Sequence, residues 1–199
     1  MANQNYVGVQ SASDGSFIYG RAGKQGDLIK SKLHGDMYEQ AYRGNLFSVT
    51  NQAAVTTTAG LATTFTGLAI ANPAGSGVNL VIRLFECSQS AVGAAGAIGV
   101  MVGSGAAAGS LTVRNAKVGG PASPTTTASA GATIATPVLE RICGSVGSLA
   151  TTGYGLLPSI CYDFHGSLII PPGYYCASYT SAITTSALAF GFVWEEVPV

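Results

Sequence analysis

Near the end of the chain four large apolar side chains recur at every second position. Leu188, Phe190, Phe192 and Trp194 alternate with Ala189, Gly191, Val193 and Glu195. A helix would scatter this set around its circumference, whereas the two-residue period of a strand gathers it on one face. A strand this apolar on one face is stable only against a second layer, so the chain has to build packed β structure around it. Residues 44–199 supply the material, because their runs of Thr, Val, Ile and aromatic residues suit a pleated, half-buried surface. Predicted strands are 46–57, 63–69, 78–87, 98–103, 111–114, 133–139, 155–162, 167–170, 174–180 and 187–197. Many short strands separated by Gly and Pro signals specify an all-β fold, an antiparallel β-sandwich of the jelly-roll kind.

Three local expectations follow. In 79–86, Leu80, Ile82, Leu84 and Glu86 fall on one face and Val81, Arg83 and Phe85 on the other, which reads as a central strand covered on both sides. Pro171, Pro172 and Gly173 stop one strand and start the next, which reads as a hairpin over 166–180. The tract 115–136, with Gly119, Gly120, Pro121 and Pro124 before a Thr run, reads as a long polar loop.

Charge is scarce. Nine Lys or Arg and nine Asp or Glu give no net charge and 9% charged residues, where soluble domains carry about 25%. A compact monomer of this mass exposes roughly 8,700 Å², leaving about one charge per 480 Å². Much of the surface is therefore expected to be covered by other subunits, or kept wet by Thr, Ser and Gly. The absence of a basic stripe argues against nucleic acid as a partner. The uncharged window 87–113 is long enough to cross a membrane but holds six glycines, and it reads as strand and loop instead. The first ten residues have neither a basic nor an apolar region of the secretory kind, so synthesis in a reducing cytoplasm is expected. Cys87, Cys143, Cys161 and Cys176 could pair in three ways; in that compartment they are expected as free thiols.

Half of the charges lie before residue 44, which divides the chain into an N-terminal arm, 1–43, and a β domain, 44–199. Glycines at 15, 20, 23, 26 and 35 exclude a long helix in the arm. A short one is expected at 36–42, with Asp36 as cap and Glu39 three residues on. Such an arm is either a loose terminus or a segment that docks on a partner. The docking reading assigns the contact to Leu28, Ile29, Leu33, Tyr38, Tyr42 and Arg43.

No catalytic, metal or cofactor site is expected. Gly103, Gly105 and Ala108 mimic a dinucleotide fingerprint, but a strand-like run follows and no acid stands at 120–130. Gly23-Lys24 lacks the spacing of a phosphate loop, and no nucleophile elbow occurs. Asp163 and His165 are spaced to share a strand face, without further ligands at metal-site spacing. Glu195 and Glu196 point to opposite faces and form no carboxylate pair. Tyr174, Tyr175 and Tyr179 are either core and edge residues or a surface for sugars.

The arm segment GDLIKSKLHG from Gly26 to Gly35, its continuation YEQAYRG from Tyr38 to Gly44, the Thr/Ala/Gly-rich strands and the ending FVWEEVPV from Phe192 to Val199 after a Pro-Pro-Gly-Tyr strand resemble virion structural proteins of tailed bacteriophages. The resemblance implies a non-enzymatic capsid cement or decoration protein, a homo-oligomer and commonly a trimer, seated on the major capsid protein or another virion protein. It transfers no catalytic residue. The alternative within the same resemblance is a tail- or head-fibre domain that binds a host receptor or glycan.

Overall fold

The structure, a computed structural model, describes residues 35–91, 93–105, 109–123, 125–147, 158–185 and 187–199. The chain divides into two units, Met1–Tyr38 and Glu39–Val199. Only residues 35–38 of the first are described, so the arm up to residue 34, with Leu28, Ile29 and Leu33, lies outside the described residues.

One short helix, α1 (Tyr38–Arg43), precedes ten strands: β1 (Leu46–Thr50), β2 (Thr64–Asn72), β3 (Val78–Gln89), β4 (Gly96–Ser104), β5 (Arg114–Asn115), β6 (Thr127–Thr133), β7 (Val138–Val146), β8 (Ser159–Ile170), β9 (Tyr174–Thr180) and β10 (Leu188–Pro198). They form two antiparallel five-stranded sheets, ordered β5-β1-β10-β3-β8 and β6-β2-β9-β4-β7. Setting the two edge additions β5 and β6 aside, the partners are β1 with β10, β2 with β9, β3 with β8 and β4 with β7. This is one long antiparallel ribbon folded over itself so that successive pairs fall in alternate sheets, the strand order of a jelly roll.

The ribbon stays hydrogen-bonded where it changes sheet. At the first corner the 51–63 connection is bonded to the residues between β9 and β10 and to the strand ends beside them: Val55 N–H donates to Leu188 O, Thr57 N–H to Thr184 O and Gly60 N–H to Thr180 O, all within 3.0 Å. At the second, Gly173 N–H donates to Asn72 O at 2.7 Å and Asn72 Nδ2 to Ile170 O at 3.0 Å. At the third, Gln89 N–H donates to Pro158 O at 3.1 Å. The Pro171–Gly173 turn is therefore a corner and not a hairpin, since β8 and β9 belong to different sheets.

The alternation in β10 plays out as the sequence predicts. Leu188, Phe190, Phe192 and Trp194 are all buried between the sheets, with Phe85 against Phe192 at 5.2 Å and Phe47 against Trp194 at 6.3 Å between ring centroids. Opposite them lie Leu68 and Ile70 of β2, Ile98 and Val100 of β4 and Cys176 of β9. Burying each such side chain contributes roughly 1.5–3 kcal/mol.

Three expectations are corrected. β3 lies inside its sheet, but the register against β10 skips Arg83, so Leu80 and Ile82 face the core and then Phe85, Cys87 and Gln89 do. The bulge reverses the phase, and the outer face of β3 is left half-exposed or exposed, not covered. The loop expected over 115–136 contains β6, which holds the edge beside β2. The strand expected at 133–139 is the junction between β6 and β7, broken at Thr136, whose φ is 40°, just before Pro137.

A second apolar cluster lies on the outer face of the β2-containing sheet: Phe65, Ala69, Ala71, Met101, Ile134, Tyr175 and Ala177. Beyond a register shift at Gly67, Thr64–Thr66 pair with β6 and no longer with β9. The Phe65 ring takes the space a Cβ at Gly67 would need, and Tyr175 takes that at Gly103. Rings thus cover backbone left bare by glycine.

Candidate functional site

The expected docking residues that are described sit on α1. Its six residues carry Glu39 in the first turn and Arg43 in the last, the signs that suit the helix dipole. Arg43 Nε pairs with Glu39 Oε1 at 2.6 Å across one turn. Tyr38 is 44% and Tyr42 61% exposed, and none of the six residues is buried. The helix stops at Gly44, φ 81°, in the double bond of a Schellman ending: Gly44 N–H to Ala41 O at 3.2 Å and Asn45 N–H to Gln40 O at 2.9 Å. Asn115 of β5 donates to Gly44 O at 2.7 Å, and Lys117 Nζ lies 5.2 Å from the Tyr42 ring centre. The helix end is thereby held on the sandwich, with its aromatic side chains presented to solvent.

Below that ending is a hollow of about 430 Å³ lined by Arg43, Asn45, Phe47, Val78, Pro121, Glu196 and Pro198, among others. Glu196 is 9% exposed, and its Oε1 accepts from Ser123 Oγ at 2.5 Å and Thr126 Oγ1 at 2.7 Å. These bonds fasten the β5–β6 connection to β10, which gives Glu196 a structural task that its neighbour Glu195 does not share.

The Asp163–His165 pair resolves into a local turn. Four residues, Phe164–Ser167, stand opposite the single residue Arg83, a bulge within the single strand β8 where the sequence predicts two strands, 155–162 and 167–170. His165 has φ 51° and Gly166 φ 73°. Asp163 Oδ1 accepts the His165 N–H at 2.6 Å, and His165 Nδ1 lies 3.3 Å from Asp163 Oδ2, the imidazole 84% exposed. An aspartate that bonds the backbone two residues on is turn chemistry. Among the described residues no group of three or more His, Cys, Asp or Glu could hold a metal, and no helix is long and apolar enough to cross a membrane.

Of the two readings of Tyr174, Tyr175 and Tyr179, the structure places them between core and edge. Tyr175 is fully buried and donates to Ala135 O at 2.8 Å, Tyr179 is half-buried, and only Tyr174 is open, at 46%. The thiols of Cys87, Cys143, Cys161 and Cys176 are free. Burial pushes Cys87 up to about 12 and Cys143 up to about 11, the latter held back in part by Arg141. Cys176 is pushed up further by its complete burial and, to a lesser degree, by Cys143 and Glu140. Deprotonation so disfavoured leaves Cys87 and Cys176 as inert core groups and half-buried Cys143 as a poor nucleophile.

Sequence reasoning missed one feature. The side of the sandwich formed by β7 and β8, the last strand of each sheet, carries a run of open apolar residues. Val138 (60%), Leu139 (37%) and Ile142 (50%) of β7, Ile169 (53%) of β8 and Tyr174 are all exposed. Of these, Ile169 and Tyr174 border a hollow of about 390 Å³ lined also by Val102, Glu140, Leu168 and Pro171, among others. The signal in the sequence is the VLERI run starting at Val138, too apolar for a solvent-facing edge. Comparison of the chain with protein-family models, with curated proteins and with solved structures found no match.

Proposed function

We propose that this chain is a non-enzymatic structural protein of a virion, a cement or decoration protein that self-associates, commonly as a trimer, and fastens to the major capsid protein or a neighbouring subunit through its N-terminal arm. The observation that supports the reading is a sparsely charged jelly roll whose short α1 helix leaves Tyr38 and Tyr42 44% and 61% exposed. A scaffold whose task is contact needs large apolar and neutral surface and no converging titratable groups. Burial of 1,000 Å² of apolar surface contributes up to about 25 kcal/mol before ordering and desolvation reduce it. Repetition over a symmetric shell then multiplies modest contacts by avidity.

The test is occupancy on purified particles that lack the protein, with the full chain and with residues 1–43 deleted. The deletion is expected to abolish occupancy while leaving a folded β domain that keeps the β-sheet circular dichroism and cooperative unfolding of the full chain. Equal occupancy by both forms would refute the arm's role.

A further inference from the structure

We propose that the hollow under the end of α1 takes a lysine side chain of a partner polypeptide, its ammonium on Glu196 and its methylenes along the apolar walls; this goes beyond the virion reading and does not rest on it. In β10 every second residue from Leu188 to Trp194 is buried between the sheets, and Glu196 continues that face, paired with Leu80 of β3. Its carboxyl is thereby carried inward at the end of the strand, and only 9% of the residue is exposed. The Glu196 N–H donates to Asn45 O at 3.0 Å, which fixes the backbone there. Oε1 accepts from Ser123 and Thr126, while Oε2 accepts from none of the described residues. Neither donor is charged, and among the described residues no Lys or Arg pairs with Glu196. A carboxylate enclosed in this way is stabilised by meeting a cation.

The hollow of about 430 Å³ supplies the rest of the site. Buried Phe47 and half-buried Val78, both packed on the core, line it beside Glu196. Exposed Pro121, Ala122 and Pro198 add apolar walls. Such a lining covers the methylenes of a long side chain while the charged head reaches the carboxylate. The head is an ammonium and not a guanidinium, because one oxygen is already taken. Arginine matches a carboxylate best as a fork on both oxygens, and Oε1 here holds two donors. An ammonium is a compact point charge that a single oxygen can meet. Arg43 also borders the hollow, but its Nε lies 2.6 Å from Glu39 Oε1, so this part of the rim adds little net charge against a second cation. Asn45 and the other rim residues are exposed, which leaves the far end of the stem open to the chain that bears it.

The experiment is titration of the full chain with N-acetyl-lysine methylamide, followed by the NMR shifts of the Phe47, Val78 and Glu196 amides. The expected result is saturable binding with a dissociation constant on the order of 1–10 mM. The equally capped norleucine, which keeps the stem and lacks the charge, and the capped arginine should each bind at least about tenfold more weakly, the scale of a hydrogen bond to a charged group. Glu196→Gln should lose the same factor at nearly unchanged Tm, since its amide oxygen can still accept from Ser123 and Thr126. Ala122→Trp, at an exposed wall position, fills the mouth without touching Glu196 and should weaken binding as well; it serves where Glu196→Gln does not fold. Glu195→Gln removes the same charge from the opposite face of β10 and should bind as the native chain does. No saturation below about 100 mM, undiminished binding in Glu196→Gln, or equal binding of capped norleucine overturns the inference. Tighter binding of capped arginine overturns the choice of an ammonium, and n-pentylamine binding where capped lysine does not overturns the choice of a polypeptide. Particle occupancy enters none of these arms, so failure here and failure of the virion reading are separate results.

Discussion

Asn51 offers a quantitative test of the claim that the ribbon is held together at its corners. It is 8% exposed and follows the last residue of β1. Its Nδ2 donates to Gly67 O at 3.0 Å and its Oδ1 accepts the Phe190 N–H at 3.0 Å, while its own N–H donates to Phe190 O at 3.0 Å. One side chain thus joins both strands of the ribbon and both sheets. Asn51→Ala leaves a buried carbonyl and a buried N–H without these partners, each costing about 1–3 kcal/mol. The hollow of about 370 Å³ that Asn51 helps to line admits water to part of the site, which places the total at the lower end, about 2–3 kcal/mol. With a urea slope of about 2 kcal/mol/M the midpoint should fall by roughly 1–1.5 M at fixed protein concentration and unchanged slope. Asn51→Asp adds a sign test. The introduced carboxyl keeps the acceptor for Phe190 but faces Gly67 O with an oxygen, and burial raises its pKa above the unfolded value near 4. Its stabilising, protonated form is present at low pH and is lost as pH rises through the folded pKa, so the deficit against the native protein should shrink on acidification. Gln52, exposed and only 3.4 Å from Thr50 O, should tolerate Ala within about 0.5 kcal/mol. A loss below 0.5 kcal/mol for Asn51→Ala would refute the corner argument.

Three further outcomes are expected. Gly99→Ala puts a Cβ against the Arg141 carbonyl of the bulged β7, so amide exchange on β7 should rise by at least about tenfold with less change on β1 and β10; uniform protection would show that the bulge adapts. In native protein a thiol reagent should modify exposed Cys161 first, half-buried Cys143 slowly, and buried Cys87 and Cys176 only on unfolding, as peptide mass mapping would show. Burial pushes Cys87 from about 9 to about 12, Cys143 from about 9 to about 11 and Tyr175, with a smaller contribution from Cys176, from about 10 to about 12. The folded state therefore holds these protons more tightly, its stability is full below pH 9, and it should fall between pH 9 and 12 in urea titrations; a flat profile there would contradict the burial of these groups.

Much of the local structure was legible in the residues. Strand β9 falls where 174–180 is predicted, and β10 keeps its four large residues inward. Helix α1 appears within a residue or two of its expectation and ends where Gly44 permits a left-handed residue. These features depend on neighbours in the chain: side-chain period, backbone conformations open to glycine and aspartate, and the missing N–H of proline. Tertiary structure decided the rest. Nothing near Pro171 says that β8 and β9 enter different sheets, because the ladder bonds that sort them join backbone groups alike in every residue and far apart in the chain, such as Leu46 with Glu195. The reversal of face at Arg83 arises only because β10 and β8 both skip it. That β5 and β6 add to β1 and β2, while β7 and β8 are left as the last strands of their sheets, is likewise settled only in the assembled sandwich. The sequence alone determined that this chain forms strands with one apolar face; which faces meet and which edge stays open depended on burying all of them at once, a condition set by the packed whole.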